Sequence, residues 1–206
     1  FTKQAVQEGK TRAMSRFAIT NGQLPYFRTL HSLCFFQLGL SKDSVMSSRD
    51  IGDLNQKLNL RLTGSVSSEE GHISSISKDD RLLFIENLAR MRQVNLETQW
   101  HDSDDVVGWF ELERFATGLR LFKDDRLLID YTDMLQLFLD RGRAPKLDVM
   151  FVDEAQDLSP LQWAVVRKLC ESADRIYIAG DDDQAIYRWA GADVDYLIRN
   201  SKDAMI

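Results

Sequence analysis

Two short stretches of this 206-residue chain crowd carboxylates where chemistry could use them. In FVDEAQD, residues 151–157, Asp153, Glu154 and Asp157 fall within five positions of one another, directly after an apolar run. In IAGDDDQAIYRWAGA, residues 178–192, three consecutive carboxylates (Asp181, Asp182 and Asp183) follow a second apolar run. Several carboxylates stay ionised side by side only where water, a cation or basic groups offset their repulsion. Magnesium suits such a set, because it takes oxygen ligands and binds through one or two carboxylates together with substrate phosphates. A neighbouring carboxylate off the metal can then take a proton from water. Asp153 as metal ligand and Glu154 as base fit that division of labour. One such cluster alone is more simply a loop or helix-start cap; two in a shared context favour a site.

The elements that must position them are legible. KLDVMFVDEA and DRIYIAGDDD each hold a short β-rich apolar run. Between them lies SPLQWAVVRKL, with Ser159 suited to an N-cap, Pro160 to the first helical turn and Gln162 to a capping box. Strand, helix and strand over about thirty residues is the length of a βαβ unit, which makes the strands parallel. In such sheets ligands gather beyond the carboxyl ends of the strands, and both acidic clusters fall there.

The rest of the chain reads mostly as helix. Residues 2–16 form one, with Ala5, Val6, Ala13 and Met14 as candidate buried positions. LPYFRTL (24–30) has strand composition, and HSLCFFQLGL (31–40) reads as a buried helix. A short helix is expected near 49–60 and a Ser-rich loop over 63–80. Helical spacing of Leu82, Ile85, Leu88 and Met91 marks residues 81–95. Val106, Phe110, Phe115, Leu119 and Phe122 mark 104–122, and DYTDMLQLFLD (130–140) is a further helix. The middle region thus reads as a helix-and-loop insertion into an α/β unit.

Composition bounds the partners. No apolar run approaches the ~20 residues needed to cross a bilayer, and Lys3, Glu8 and Lys10 break any leader-like stretch at the start. The first residue is not Met, which suggests a piece of a longer chain. The only cysteines, Cys34 and Cys170, form no Cys-x-x-Cys pair, which implies a reducing, cytoplasmic setting. His31, His72 and His101 are too scattered for a zinc site. The net charge is −6, but residues 1–45 carry +4 and the remainder −10. Phosphate attraction therefore favours the N-terminal part.

The two acidic stretches, in this order and separated by one helix, closely resemble motifs II and III of the UvrD/Rep-like superfamily 1 DNA helicases. Those motifs run as a hydrophobic strand followed by D-E-x-Q-D, and as G-D-x-D-Q-x-I-Y-x-W/F-R-G-A. Upstream, FTKQAVQEGKTR (1–12) is similar to motif Ia, RTLHSLCF (28–35) to the T-F-H-S segment, and LIDYTDML (128–135) to D-F-D-D-L-L. The resemblance implies an α/β fold: a partial RecA-like P-loop NTPase domain with a parallel sheet, residues 1–43 and 126–206, interrupted by a mostly helical subdomain, 44–125. It implies an ATP-dependent DNA helicase that uses magnesium and ATP to move 3′→5′ on single-stranded DNA and open a duplex junction, in DNA repair or replication. Residue by residue, Asp153 would bind magnesium, Glu154 would position and deprotonate the attacking water, and Asp157 would orient groups between the motifs. Gln184 would sense the γ-phosphate. Trp189 and Tyr187 would contact bases, with Trp189 as stacking platform, and Thr2, Thr29 and His31 would lie along the DNA track.

Two departures matter. Where the family's third motif carries an arginine that reaches the γ-phosphate, this chain has Ala190. Such an arginine can be worth ~10³-fold or more in rate, and Arg188 is the nearest substitute for nucleotide contact. No G-x-x-x-x-G-K-[ST] phosphate loop occurs in the chain. The partners expected are therefore DNA, ATP and the remainder of a helicase chain, with the phosphate loop and a second motor domain. The rival expectation is a catalytically inactive, helicase-like DNA-binding scaffold in a nuclease or repair complex. A metal-dependent nuclease ranks last, because it leaves Gln184 to Trp189 without a role.

Overall fold

The computed structural model describes residues 3–63, 77–103, 107–185, 188 and 191–201. In chain order its helices are α1 (Lys3–Phe17), α2 (Leu30–Gln37), α3 (Ser48–Leu58), α4 (Lys78–Arg92), α5 (Leu96–His101), α6 (Trp109–Arg126), α7 (Tyr131–Arg141), α8 (Pro160–Cys170) and α9 (Val194–Ser201). The strands are β1 (Leu147–Val152) and β2 (Ala173–Ile178). The fold is α/β, mostly helical, with a small parallel sheet.

The expected βαβ unit is present. β1 and β2 pair in parallel, with Leu147 opposite Ala173 and Val152 opposite Ile178. At the start of α8, Ser159 Oγ accepts from Gln162 N and Gln162 Oε1 accepts from Ser159 N at 2.8 Å. That capping box satisfies two helix-end donors and fixes where the chain turns back. α8 buries Leu161, Trp163, Val165, Val166 and Leu169 in a core shared with Leu33 and Cys34 of α2, Met134, Leu135 and Phe138 of α7, and Met150 of β1. Lys168 Nζ donates to the carbonyls of Phe138 and Leu139, at 2.9 and 2.6 Å, and so caps the end of α7 from α8.

A second core gathers Leu54, Leu82, Ile85, Leu112, Phe115, Leu119 and Phe122 from α3, α4 and α6. The chain runs between the two cores side by side. Ile129 N donates to Ser44 O, and Met46 N to Ile129 O, both at 2.9 Å. α4 serves both cores, because Leu82 and Ile85 sit in the second and Met91 packs on the first.

A charged clasp fastens this junction. Arg90 of α4 bonds Asp130 (2.8 Å), Asp133 (3.0 Å) and Glu86 (2.8 Å). Lys123 of α6 bonds Asp130 (2.7 Å) and Asp133 (2.6 Å). Asp130 and Asp133 also form the capping box of α7. Two cations, from α4 and α6, thus meet the start of α7.

Several expectations differ from the structure. Residues 24–30 form no strand. Thr29 instead accepts from Ser32 N as the N-cap of α2, and Arg28 Nε donates to Pro25 O at 2.6 Å, so local side-chain bonds outcompete strand propensity. α2 ends earlier than residue 40, because Gly39 takes φ 62° and Leu40 N reaches back to Phe35 O at 3.2 Å. Val6, Ala13 and Met14 of α1 are only half-buried. Phe110 is 82% exposed, on the outer face of α6. α4 begins at Lys78, inside the stretch read as loop, because Ser77 caps it by accepting from Asp80 N. The helix α5 was not expected. The sheet is poorly covered: Phe151 is 75% and Tyr177 51% exposed with their rings stacked at 5.0 Å, and on the other face Met150 of β1 is buried while Ile176 and Ile178 of β2 are exposed. Val106, His72 and most of the expected 63–80 loop lie outside the described residues.

The clasp sets an acid dependence. Burial alone would raise the pKa of Asp130, but Arg90 and then Lys123 outweigh it and hold this carboxyl well below the usual range. The unfolded chain then binds this proton more readily, so the contribution of Asp130 is complete above about pH 4 and is lost as pH falls further. Glu86 has the opposite sign: burial pushes its carboxyl up against the pull of Arg90, and its stability contribution falls as pH rises through that raised value. Asp130→Asn should cost roughly 3 kcal/mol at pH 7, the order seen when one partner of a buried pair is removed. It should also flatten the loss of stability below pH 4, as read from urea midpoints between pH 3 and pH 7.

Candidate functional site

Because the strands are parallel, both acidic turns leave the same end of the sheet. The ladder continues past the strands: Ala179 N donates to Val152 O at 2.8 Å, and Ala155 N donates to Ala179 O at 3.0 Å. The turns are therefore held edge to edge by backbone bonds before any side chain acts.

In the first turn, Asp153 and Glu154 are exposed, and Ala155 and Gln156 are buried. Glu154 sits in the left-handed region at φ 54°, a conformation that costs a non-glycine residue about 1 kcal/mol and tends to mark functional turns. Its N–H donates to Asp153 Oδ1 at 3.0 Å, and its carbonyl accepts from Asp157 N at 3.1 Å. In the second turn, Asp181 accepts from Asp183 N at 3.1 Å and from Gln184 Nε2 at 2.5 Å.

The side chain of Gln156 joins the two turns. Its Nε2 donates to Glu154 Oε2 at 2.7 Å, and its Oε1 accepts from Asp181 N at 3.1 Å. An unbroken series of hydrogen bonds therefore runs Glu154–Gln156–Asp181–Gln184. Sequence reasoning gave Gln156 no role, although it fills the glutamine position of the D-E-x-Q-D pattern. Gly180 makes the close approach feasible, since a Cβ there would lie 2.8 Å from Leu197 Cδ2 and 2.9 Å from Gln156 Oε1. Leu197 belongs to α9, which packs on the 155–157 turn.

Asp157 is the uncomfortable member of this set. Its Oδ1 is buried with no hydrogen-bond partner, and burial, followed by the charge of Glu154, pushes its carboxyl above the usual range. Among the described residues, no group of three or more His, Cys, Asp or Glu side chains is arranged as a metal cage. A magnesium ion that takes one or two carboxylates and completes its shell with phosphate oxygens and water needs no such cage. The exposed hard-oxygen donor of Asp153 fits that mode, with the Glu154 carboxylate beside it.

The other expected site residues are distributed elsewhere. Arg188 is exposed, beyond the second turn. Thr29 and His31 belong to the α2–α7 pair and take no part in the bonds joining the acidic turns. Thr29 caps α2. The ring of His31 meets that of Tyr131 edge-on at 5.7 Å, and burial holds its pKa down to about 4, so it is neutral at pH 7. Thr2, Tyr187, Trp189 and the arginine-replacing Ala190 lie outside the described residues. Cys34 is buried and its thiol is pushed up to about 12, which leaves it unreactive.

A family model of the UvrD/REP helicase N-terminal domain matches residues 1–205. The chain belongs to this family. Among curated proteins it is similar to the ATP-dependent DNA helicase PcrA of Bacillus subtilis (strain 168), 24% identical over 98% of this chain and 28% of PcrA. It is also similar to a probable DNA helicase II homolog of Mycoplasma capricolum, 26% identical over 98% of this chain and 30% of that protein. A probable DNA helicase II homolog of Rickettsia felis is 25% identical over 82% of this chain and 29% of its own length. The chain thus spans under a third of the length of these relatives. Among the described residues of this UvrD/REP-family chain, no helix is long and apolar enough to cross a membrane.

The geometry at Asp157 makes a prediction. Asp157→Asn removes a partly buried charge that nothing offsets, so the folded chain should gain stability at pH 7, read as a rise in Tm. A carboxyl with a raised folded pKa loses stability as pH rises from its unfolded value near 3.9 through the folded one. The variant should lack that decline, measured by thermal melts between pH 4 and pH 7.

Proposed function

We propose that the chain is part of the first motor domain of an ATP-dependent DNA helicase and translocase, working 3′→5′ on single-stranded DNA and opening duplex at a junction. The observation that carries this reading is the parallel β1–β2 pair, which brings the Asp153–Glu154 turn and the Asp181–Gln184 turn to one end of the sheet and links them through Gln156. Membership of the UvrD/REP helicase family and the names of the relatives support the same reading.

The division of labour follows from the groups present. Asp153 would hold magnesium, which supplies charge neutralisation on the phosphates when bound. Glu154, on its strained turn, positions a water in line with the terminal phosphate and takes its proton. Gln184, tied to Asp181, reports whether that phosphate is present. Asp157 orients groups between the two turns. Arg188 is the residue to test as replacement for the arginine absent at Ala190. Trp189 and Tyr187 offer faces to bases, a sequence-tolerant contact suited to a translocase, and Thr2, Thr29 and His31 extend that track. The motor portion is residues 1–43 and 126–206, with 44–125 as its helical insertion; the two separate cores joined at Ser44–Met46 and Ile129 support that division. A nucleic-acid track and unpaired thiols suit the cytoplasm. The remaining partner is the rest of the helicase chain, including the phosphate loop.

Three measurements test this reading. In the full-length protein, Glu154→Gln should lower DNA-stimulated ATP turnover by ~10²–10⁴-fold, the usual contribution of a general base, while nucleotide binding stays within a few-fold. Unchanged turnover removes Glu154 from its role, and absent turnover in the parent protein favours the inactive DNA-binding scaffold. Trp189→Ala should weaken single-strand binding by roughly 5- to 150-fold, from ~1–3 kcal/mol per stacked base, read by fluorescence anisotropy at several salt concentrations. Residues 1–206 on their own should show no ATP turnover, because no glycine-rich phosphate loop occurs among them.

A further inference from the structure

The geometry points to Gln156 as a positioning residue, a two-ended amide that sets the Glu154 carboxylate according to where the Asp181–Gln184 turn lies. This rests on the reading of Glu154 as the base and names how that base is governed.

Three observations carry it. Gln156 is 2% exposed, so water does not orient its amide. Both ends are occupied, and only one orientation works. The NH₂ faces the Glu154 carboxylate at 2.7 Å, where a carbonyl would be repelled, and the carbonyl faces the Asp181 N–H at 3.1 Å. A buried amide with both ends engaged cannot rotate or slide without leaving a donor or acceptor unpaired, which a buried site resists.

The ends also differ in what holds them. At the Asp181 end the bond is to backbone, on a turn whose own side chains tie Asp181 to Asp183 and Gln184. Gly180 lies so close that a Cβ would come within 3.1 Å of Gln156 N and 2.9 Å of its Oε1. The Gln156 side chain is thus confined between its own turn and the second one. At the Glu154 end the bond is to an exposed side chain with several rotatable bonds, and among the described residues no other hydrogen bond or ion pair holds its carboxylate. A shift of the second turn is therefore transmitted toward Glu154 rather than absorbed at the backbone end. Through Gln156, the residue read as reporting the terminal phosphate is coupled to the residue read as activating the water.

The test uses the full-length protein and DNA-stimulated ATP hydrolysis. Gln156→Met keeps the length and removes both bonds. Gln156→Asn keeps the amide but is one methylene too short to reach both partners. Each should lower kcat at least tenfold, with KM for ATP and the Kd of a fluorescent ATP analogue within twofold of the parent. A purely structural role would lower Tm or the active fraction and leave kcat per active site unchanged. Combining Gln156→Met with Glu154→Gln should give no loss beyond that of Glu154→Gln alone, because the amide acts only through that carboxylate. A kcat within twofold of the parent in Gln156→Met overturns the proposal. If Gln156→Met does not fold, the same outcome in Gln156→Asn overturns it. If Glu154→Gln abolishes turnover while the Gln156 variants keep theirs, only the positioning role fails. If Glu154→Gln itself keeps turnover, the base assignment and the coupling fail together.

Discussion

The parallel pairing of β1 with β2 is the constraint on which the rest depends. Antiparallel pairing would send the two acidic turns to opposite ends of the sheet. Parallel pairing sends them to the same end, and it needs a crossover long enough to return the chain. α8 is that crossover. Its capping box at Ser159 and Gln162 starts the helix immediately after the first turn, and its buried residues press it on the sheet. The backbone bonds at Ala155 and Ala179 then carry the pairing beyond the strands, into the turns themselves. Side chains such as Gln156 refine an alignment the backbone has already made.

That alignment was the most legible part of the sequence, because it is local. The apolar runs, the Ser-Pro-x-Gln helix start and the acidic punctuation all lie within one continuous stretch, and each level of reading pointed the same way. What failed was set by distant partners or by competing local bonds. LPYFRTL has strand composition, but Thr29 is a better cap than strand residue, and Pro25 offers no N–H to a ladder. Phe110 has helical spacing and faces solvent, because periodicity gives a face without saying which neighbour covers it. The clasp was invisible for the same reason: Arg90 lies 40 positions from the Asp130 it binds. At the site, acid positions were readable from residue type. Gln156 was readable only as a motif position, since its bridging of two turns appears only in the folded chain.

The sheet itself is half-finished as a physical object. Parallel sheets are ordinarily covered on both faces, yet the Phe151–Tyr177 stack faces outward here. On the opposite face Met150 of β1 is buried in the core shared with α8 and α7, while Ile176 and Ile178 of β2 stay exposed. The acidic end is therefore held through β1 and the backbone ladder rather than by a covered sheet. Such an end can be rigid in register, through the ladder, while its exposed turns keep freedom to respond to a ligand.

The chain treats carboxylates in two contrasting ways, and the contrast separates structure from chemistry. Asp130, Asp133 and Glu86 meet Arg90 and Lys123 at bonding distance, so most of their charge is offset where it is buried. A buried pair of this kind adds little net stability over apolar packing, but it is costly to break. It therefore serves to specify how α4, α6 and α7 meet. At the strand ends no lysine or arginine bonds Asp153, Glu154, Asp157 or Asp181 among the described salt bridges. Glu154 also occupies a strained backbone region, and Asp157 keeps a buried oxygen unpartnered. Evolution could have offset the charge of these acids as it did for the others a few helices away. Carboxylates left without cations at one sheet end, beside a strained Glu154, are what a site needs if its missing positive charge arrives with the ligand.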